Sequence, residues 1–185
     1  MWSIKRKRYI ILGIGLISLL SFYLLLKITN YPIFTKSFGV SVITEYNELK
    51  ELENDSSVIV DITVNENEYF TYEDVPFTLS ELKINKVFKG ELMEGDSINI
   101  LETGGVVNNI EYTAEHDEIL KERENAILFL YKYEGPIKEG VEKYVISGLY
   151  QGKFKYVNTP DSITPSEENQ GELATIESVE DLNFK

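Results

Sequence analysis

An uncharged, almost entirely apolar stretch near the amino terminus constrains this chain more than any other feature. Residues 9–26 read YIILGIGLISLLSFYLLL, and as an α-helix, rising about 1.5 Å per residue, they would extend roughly 27 Å. The hydrocarbon core of a bilayer is about 30 Å thick. A helix also satisfies its own backbone hydrogen bonds, as lipid requires. The stretch is therefore predicted to be a transmembrane helix.

The charges that flank this stretch predict its orientation. Basic flanking residues stay in the cytoplasm, so residues 1–8 are predicted to be cytoplasmic and the chain after Leu26 to be extracellular. The lipid bilayer is thus the first predicted partner. The predicted anchor residues are the basic Lys5, Arg6, Lys7 and Arg8 and, in the apolar stretch, Tyr9, Leu16, Leu20 and Leu26.

A cleaved signal peptide is the alternative to a retained signal anchor, because both begin with a basic region followed by an apolar one. Signal-peptide apolar regions are usually shorter, and residues 27–32, KITNYP, lack a small-x-small cleavage pattern. Tyr9, Tyr23 and Tyr31 also suit the two interfaces of a spanning helix. The sequence favours the retained anchor.

Charge and cysteine content exclude several classes of function. The chain has 31 acidic and 18 basic residues, a net charge of -13, so a nucleic acid would have to bind against a repulsive field. Without cysteine, the chain forms no disulfide, thiolate zinc site, thiolate nucleophile or lipid-modified cysteine. The acidic exterior would attract cations and basic proteins, although the same charge is typical of a merely soluble surface.

Short alternating runs after the membrane segment predict a β-rich domain. Residues 27–43 are predicted to be a stalk, and a brief helix capped by Thr44 opens an exterior domain over residues 44–158. The clearest strand is 57–64, SVIVDITV, with alternate apolar residues on one face. The further predicted strands are 77–88, 97–102, 126–133, 143–150 and 152–157.

The segments between these strands carry weaker patterns. Residues 65–74 are predicted to be a polar loop, and residues 106–118 a long loop or a partly paired strand. A change of phase between Leu79 and Leu82 predicts a β-bulge near Ser80 and Glu81. Residues 159–185 are acidic and are predicted to be a mostly disordered tail, with a short helix near 176–182 as an option.

These elements favour a mainly β fold: a small five- to six-stranded OB-like β-barrel with a short helix, preceded by one transmembrane helix. A sandwich is the competing architecture. The order VIVDITV, FTLSELKINKVFKG, DSINILETGG, ENAILFLYKYEG and YVISGLYQGKFKY resembles netrin-like domains, which share this barrel with tissue inhibitors of metalloproteinases. It also looks similar to anchored exterior proteins of Gram-positive bacteria. Those inhibitors act through a disulfide-tied amino-terminal cysteine, so inhibition is not carried over to this cysteine-free chain.

The search for chemistry predicts no catalytic residue, cofactor or metal site. His116 stands in an acidic loop, where a solvated surface histidine is expected, and no hydrolase, metalloprotease or nucleotide-binding motif is present. Carboxylates close in sequence could form a general acid and base or hold a weakly bound cation. They are Glu66 with Glu68, Glu73 with Asp74, and Glu115 with Asp117 and Glu118.

Tyrosines in the last strands offer the best candidate binding face, because tyrosine combines contact area with a hydroxyl group. Core packing is the competing role. The candidate face comprises Tyr131, Tyr133, Tyr144, Tyr150 and Tyr156. The leading hypothesis is a non-enzymatic, membrane-anchored module that binds an exterior protein, peptide or envelope component. The alternatives are an envelope enzyme that uses paired carboxylates and a small structural or assembly subunit of a membrane complex.

Overall fold

One long helix is followed by a chain that is mostly β-strand. The computed structural model describes residues 2–39, 44–114, 117–157 and 159–184. Helix α1 covers Trp2–Thr29, and the short helix α2 covers Leu49–Asp55. The strands are β1 Phe34–Phe38, β2 Val58–Tyr72, β3 Val75–Lys89, β4 Ser97–Val107, β5 Ile110–Ala114, β6 Asn125–Lys132, β7 Tyr144–Ile146, β8 Lys153–Tyr156 and β9 Ile163–Thr164. Two 3-10 helices, Gly171–Thr175 and Val179–Leu182, follow them.

Helix α1 contains the predicted membrane segment. Residues Ile11–Thr29 have a mean hydropathy of 2.2, and none of this stretch is buried inside the protein. It is therefore long and apolar enough to span a membrane. The four basic residues that precede it lie in the first turns of the same helix.

Five strands close the predicted barrel. Strand β2 pairs with β3 and β6, β3 pairs with β4, and β6 pairs with β7, all antiparallel. Strand β4 meets β7 in parallel at Ile100 and Tyr144 and closes the ring. Counted in chain order, the barrel strands lie in the order first, second, third, fifth, fourth. The mainly β fold and the five-stranded closed barrel are confirmed.

The barrel interior is an apolar core produced by the period-two alternation of the strands. Val58, Val60, Ile62 and Val64 of β2 all point into it, as the sequence predicts, together with residues of β3, β4 and β6. Leu120 comes from the segment between β5 and β6 and is fully buried in the same core. Fourteen residues are therefore packed within one closed sheet.

A second core covers the outer face of the barrel and corrects the prediction of a disordered tail. Strand β6 is apolar on both faces, so Ile127 and Phe129 need cover on the outside. Helix α2 supplies part of it, and the segment 159–184 supplies the rest. We call this cluster the outer core; it contains Tyr46, Leu49, Leu52, Ile59, Ile127, Phe129, Phe154, Ile163, Leu173, Ile176 and Leu182. The described part of the tail is therefore folded, and its second 3-10 helix lies within the predicted 176–182.

Several predicted loops and boundaries also differ from the structure. Residues 65–74 belong to the β2–β3 hairpin rather than to a polar loop. Residues 106–114 belong to the β4–β5 hairpin, which agrees with the partly paired strand and not with the long loop. The turns Glu73–Asp74 and Asn108–Asn109 have positive φ angles, as two-residue hairpin turns require. Within the predicted stalk, β1 pairs with β5 in parallel. Helix α2 begins at Leu49 rather than after Thr44.

The predicted bulge lies on the neighbouring strand. Strand β3 pairs with β4 without interruption from Phe77 to Lys83, so the chain near Ser80 and Glu81 is regular. The register shift falls between Val64 and Glu66 of β2, opposite these residues. The phase of Leu79 differs from that of Leu82 because Leu79 is buried on the outer side of β3, across from Leu101.

Candidate ligand site

A cavity opens where β4 and β7 separate. Among the described residues these strands meet at the one pair Ile100–Tyr144, and beyond it the barrel wall has a gap. The resulting seam cavity has a volume of about 490 Å³. Its apolar walls come from Leu101, Ala114, Ile119, Val145, Ile146 and Leu149, and its polar groups from Thr44, Tyr46, Asp55, Glu102, Thr103, Asp117 and Tyr131.

A buried ion cluster forms one wall of the seam cavity. The Lys153 Nζ atom donates hydrogen bonds to Glu102 Oε1 at 3.1 Å, to Asp117 Oδ2 at 2.7 Å and to the Glu118 carbonyl at 2.7 Å. These bonds use all three donors of an ammonium group. The other oxygen of the Glu102 carboxylate, Oε2, accepts from the Leu120 backbone N–H at 3.2 Å. Lys153 is 2% exposed and Glu102 7% exposed, so these two side chains are shielded from water, whereas the Asp117 side chain keeps 13% of its surface exposed.

The alternation of two strands brings these charges together. Ile98 and Ile100 of β4 point into the barrel, and Glu102 is the next residue on that face. On β8, Lys153 pairs with the interior residue Leu128. The two side chains therefore meet at one end of the apolar interior, where each needs the other as a partner.

The pKa values of Asp117 and Lys153 are shifted because the cluster contains two carboxylates and only one ammonium group. Burial raises the pKa of Asp117, although the charge of Lys153 opposes that shift. Burial by itself would lower the pKa of Lys153, but attraction to Glu102 and Asp117 outweighs it, so this pKa is raised. Both shifts have the same direction because the ionised cluster carries a buried negative charge that an added proton relieves.

Two tyrosines, Tyr46 and Tyr131, line the seam cavity, and a glutamine holds the first of them in place. Gln151 holds the backbone of Tyr46 through two hydrogen bonds, from Tyr46 N–H at 2.8 Å and to the Tyr46 carbonyl at 2.7 Å. Burial, together with the Asp55 carboxylate, raises the pKa of Tyr46, so its phenol stays neutral. Tyr131 is 45% exposed and leaves part of its ring accessible beside the cavity.

The structure does not bring the five predicted tyrosines onto one exposed face. Tyr131 lines the seam cavity, and the ring of Tyr133 lies 5.2 Å from the Lys143 ammonium group. Tyr144 is buried in the barrel interior, and Tyr150 is also buried. Tyr156 packs against the outer core and donates a hydrogen bond to Asp61 at 2.7 Å. The candidate face therefore reduces to Tyr131, because the other four tyrosines are buried or half-buried against other parts of the protein.

The predicted carboxylate pairs have different outcomes. Asp117 lines the cavity, whereas Glu118 forms an exposed ion pair with Lys121. Glu115 and His116 lie outside the described residues. Glu66 and Glu68 belong to the β2–β3 hairpin, and Glu73 and Asp74 form its turn. Within the described ranges, no group of three or more His, Cys, Asp or Glu residues is arranged to hold a metal ion.

Sequence reasoning missed Glu102 and Lys153, the two most buried members of the cluster. A signal was present in the spacing, because Glu102 continues the interior positions Ile98 and Ile100 of a predicted strand. A charged residue at an interior position demands an opposite charge nearby. The sequence does not say which of the lysines supplies it.

The seam cavity combines carboxylates, phenol groups and apolar walls. A carboxylate is a strong acceptor for an ammonium or guanidinium group, and the aromatic and aliphatic walls suit an apolar body attached to that cation. Lys153 has used its own donors on the protein, so it balances the charge of the wall without binding a ligand itself. Comparison with known proteins finds no protein-family model that matches the sequence and no curated protein that matches it.

Proposed function

We propose that this protein is a non-catalytic, membrane-anchored binding module that holds its ligand in the seam cavity outside the cell. The observation that carries the proposal is the cavity wall, where Asp117 and Glu102 stand beside Tyr131 and aliphatic side chains. The ligand class that this wall favours is an exterior peptide, protein segment or envelope component with a cationic group and an apolar portion. The net charge of -13 would attract such a ligand at long range.

The amino-terminal helix supports the location of this module. Its apolar stretch Ile11–Thr29 has the length of a membrane span, and the basic residues Lys5, Arg6, Lys7 and Arg8 precede it. The positive-inside rule then orients the barrel toward the exterior. The helix is retained as an anchor in this proposal, as its length and flanking sequence favour.

Binding is favoured over catalysis by the way Lys153 joins the two carboxylates. A general acid and base act on a substrate when each group can reach it. Here Glu102 and Asp117 share one ammonium group, and the second oxygen of Glu102 accepts from Leu120. The two carboxylates are therefore held in place as fixed charges in the cavity wall, an arrangement that suits binding of a charged ligand.

The proposal is tested with full-length protein in lipid nanodiscs and four dipeptide probes. The amino termini are acetylated, so that acetyl-Arg-Leu and acetyl-Lys-Leu carry the side-chain cation and the apolar group, whereas acetyl-Glu-Leu and acetyl-Gln-Leu have the same length without a cation. We expect the cationic dipeptides to raise the unfolding temperature, since ligands that bind the folded state stabilise it. Tyr131→Ser should weaken this effect, because Tyr131 lines the cavity and is exposed enough to be changed without unfolding the barrel.

Tyr69→Ser is the matched control, because Tyr69 is 37% exposed and lies on β2. Tyr69 is not one of the described residues that line the seam cavity. Equal stabilisation by cationic and neutral dipeptides would refute the predicted ligand class. An equal loss of binding in the Tyr69 and Tyr131 variants would place the ligand elsewhere.

An envelope enzyme is the second candidate, favoured by one observation. The Glu102 and Asp117 oxygens bond to the same nitrogen at 3.1 and 2.7 Å, so they are no farther apart than the sum of these distances. Carboxylates roughly 5–5.5 Å apart serve retaining glycosidases. Hydrolysis of aryl glycosides by the purified protein, abolished in Asp117→Asn, would favour the enzyme. Absence of turnover with intact dipeptide binding would favour the module.

A further inference from the structure

The end of helix α1 is fastened to the tip of the β4–β5 hairpin by two asparagines. The Asn109 side-chain amide donates to the carbonyls of Leu26 at 2.7 Å and Tyr31 at 2.8 Å. Its backbone N–H donates to Asn30 Oδ1 at 3.0 Å, and Asn30 Nδ2 donates to the Val106 carbonyl at 2.8 Å. We call this set of bonds the Asn109 clasp.

The clasp joins the end of helix α1 directly to the β4–β5 hairpin. Asn109 is 8% exposed, and its amide caps a carbonyl in the last turn of the helix, which has no partner within the helix itself. The Ile33 N–H then donates to the Asn109 carbonyl at 2.8 Å, and β1 continues beside β5 from Phe34 to Phe38. Both sides of the helix end are therefore tied to the same hairpin.

Apolar side chains project from the protein directly beside this helix end. Ile28, Tyr31, Ile33 and Phe34 form what we call the juxtamembrane patch, and all are exposed, Phe34 by 67%. Such side chains are costly to expose to water as a group. The patch begins within the last turn of the membrane-length stretch and follows it without interruption.

The charge of the same segment differs from that of the rest of the chain. Residues 27–44 contain Lys27 and Lys36 and no acidic residue, although the whole chain has 31 acidic residues. An anionic bilayer surface repels carboxylates and attracts lysines. Tyrosine and lysine are also the residues that favour the boundary between lipid tails and water. The composition of this segment therefore matches a lipid surface.

We infer that the juxtamembrane patch lies in the outer headgroup layer of the bilayer and that the Asn109 clasp holds the barrel against the membrane in one fixed orientation. This inference rests on the proposed anchoring by helix α1. The partner is the lipid surface itself, because the patch is continuous with the spanning segment and its segment carries lysines without acidic residues. A partner protein or a second copy of the chain is the competing occupant.

The inference is tested by the depth of a tryptophan introduced at Phe34. The chain has one tryptophan, Trp2, so full-length Trp2→Phe protein provides a silent background. Phe34→Trp in this background is reconstituted into vesicles of phosphatidylcholine and phosphatidylglycerol, with or without bromine atoms on the upper acyl carbons. We expect the emission of the introduced tryptophan to be lost in the brominated vesicles, since bromine quenches at short range.

Met93→Trp provides the matched control, because Met93 is also 67% exposed. It lies in the turn before β4, at the opposite end of that strand from the hairpin tip, roughly 35 Å away at 3.3 Å per residue. Its emission should not change with bromination. Equal quenching at positions 34 and 93, or none at either, would overturn the inference. Unquenched, blue-shifted emission at position 34 would indicate a protein cover and would also overturn it.

A second pair of variants tests the clasp. Asn109→Gly keeps the left-handed backbone at φ 62° and removes the amide, whereas Asn108→Gly makes the same change at φ 52° in the adjacent exposed turn position. Each is combined with Phe34→Trp, and quenching of that tryptophan should fall with Asn109→Gly and persist with Asn108→Gly. Unchanged quenching in both would refute the clasp.

Failure of the anchor is measured separately, by flotation of the vesicles after alkaline washing. Protein that does not float with lipid contradicts the proposed anchoring and the inference together. Protein that floats while the tryptophan at position 34 remains unquenched contradicts the inference alone.

Discussion

Lys153 is the residue on which the described site depends. Its ammonium group lies between two carboxylates at the end of an apolar barrel interior, and its neighbours in β8 are apolar or half-buried. A buried ion pair adds little stability compared with an apolar replacement, but removing one partner leaves a charge without compensation. The cluster is therefore sensitive to single substitutions.

Lys153→Met should strongly destabilise the protein. The variant leaves Glu102 and Asp117 buried without their cation, and breaking such a cluster typically lowers the free energy of unfolding by about 3–5 kcal/mol. Denaturant unfolding of the detergent-solubilised full chain, followed by circular dichroism, measures the change.

Two further variants make this result specific. Lys132→Met breaks the exposed pair with Glu142 and should change stability little, since solvent screens exposed pairs. Adding Glu102→Gln and Asp117→Asn to Lys153→Met should restore part of the lost stability by removing the uncompensated charges. A triple variant as unstable as Lys153→Met would show that packing, rather than charge, explains the loss.

Stability should decrease at alkaline pH. The pKa of Lys153 is raised above its usual 10.5, because Glu102 and Asp117 outweigh its burial. Burial and the hydrogen bond to Asp61 raise the pKa of Tyr156 above its usual 10.0. The folded state therefore holds both protons more tightly than the unfolded state, and this stabilisation is complete below pH 10.0 and lost as pH rises through the raised pKa values.

Unfolding free energies measured at steps from neutral pH to above pH 10.5 test this dependence. Tyr156→Phe should reduce the slope above pH 10.0, because phenylalanine has no proton to lose. A slope that is the same in Tyr156→Phe and in the unchanged protein would assign the alkaline loss to other groups.

At the scale of elements, the outer core depends on a segment that looks disordered by composition. The carboxyl-terminal segment contributes Ile163, Leu173, Ile176 and Leu182, all almost completely buried. Its second 3-10 helix has a capping box between Ser178 and Asp181, which satisfies backbone donors at its start. These few anchors cover one face of β6 and β8.

Leu173→Ala should destabilise the barrel although it lies far from the strands in sequence. Leu173 is fully buried, and shortening such a side chain typically costs about 2–5 kcal/mol. Limited proteolysis should then cut the segment 159–184 earlier than in the unchanged protein. Met93→Ala, at an exposed position, should change neither property, and rapid cleavage of the unchanged protein would contradict the packing of this segment.

The strands could be predicted where alternation and burial agree, as in β2, and the closed barrel followed from their number and spacing. The tail could not, because four apolar residues among many acids resemble a disordered composition. The β2–β3 turn was hidden because glutamate, as at Glu73, is uncommon at a left-handed position. The β4–β5 turn carried a usable signal, because Asn108 and Asn109 are of the residue type enriched at such positions. The ion cluster was hidden because Glu102 and Lys153 are 51 residues apart, and their meeting depends on tertiary pairing.

At the scale of the whole molecule, the proposed orientation across the membrane rests on the short basic segment at the start of helix α1. Lys5, Arg6, Lys7 and Arg8 stand on one side of the membrane-length stretch. The acidic barrel lies on the other side of the same stretch. The positive-inside rule responds to lysine and arginine near the ends of a span.

Replacing these four basic residues with glutamine should therefore leave part of the protein inverted in the membrane. The expected result is protease protection of a carboxyl-terminal tag in intact cells for a fraction of molecules, whereas the tag of the unchanged protein is digested. Replacing Lys83, Lys86, Lys121 and Lys155 in the barrel with glutamine is the control and should not alter orientation. Full digestion of the tag in both variants would contradict the predicted topology.

Strand β4 connects the seam cavity to the Asn109 clasp, since it carries Glu102 and Thr103 in the cavity wall and Val106 at the helix end. Three to four residues of extended chain separate these points by about 10–13 Å. A ligand tethered to the same bilayer would therefore meet the cavity at an effective concentration set by the length of its tether. If the protein is the anchored binding module proposed above, tethers much shorter than this height would not reach the cavity, and very long ones would gain little over free solution. We therefore expect the length of this part of β4 to favour partners with tethers of matching length.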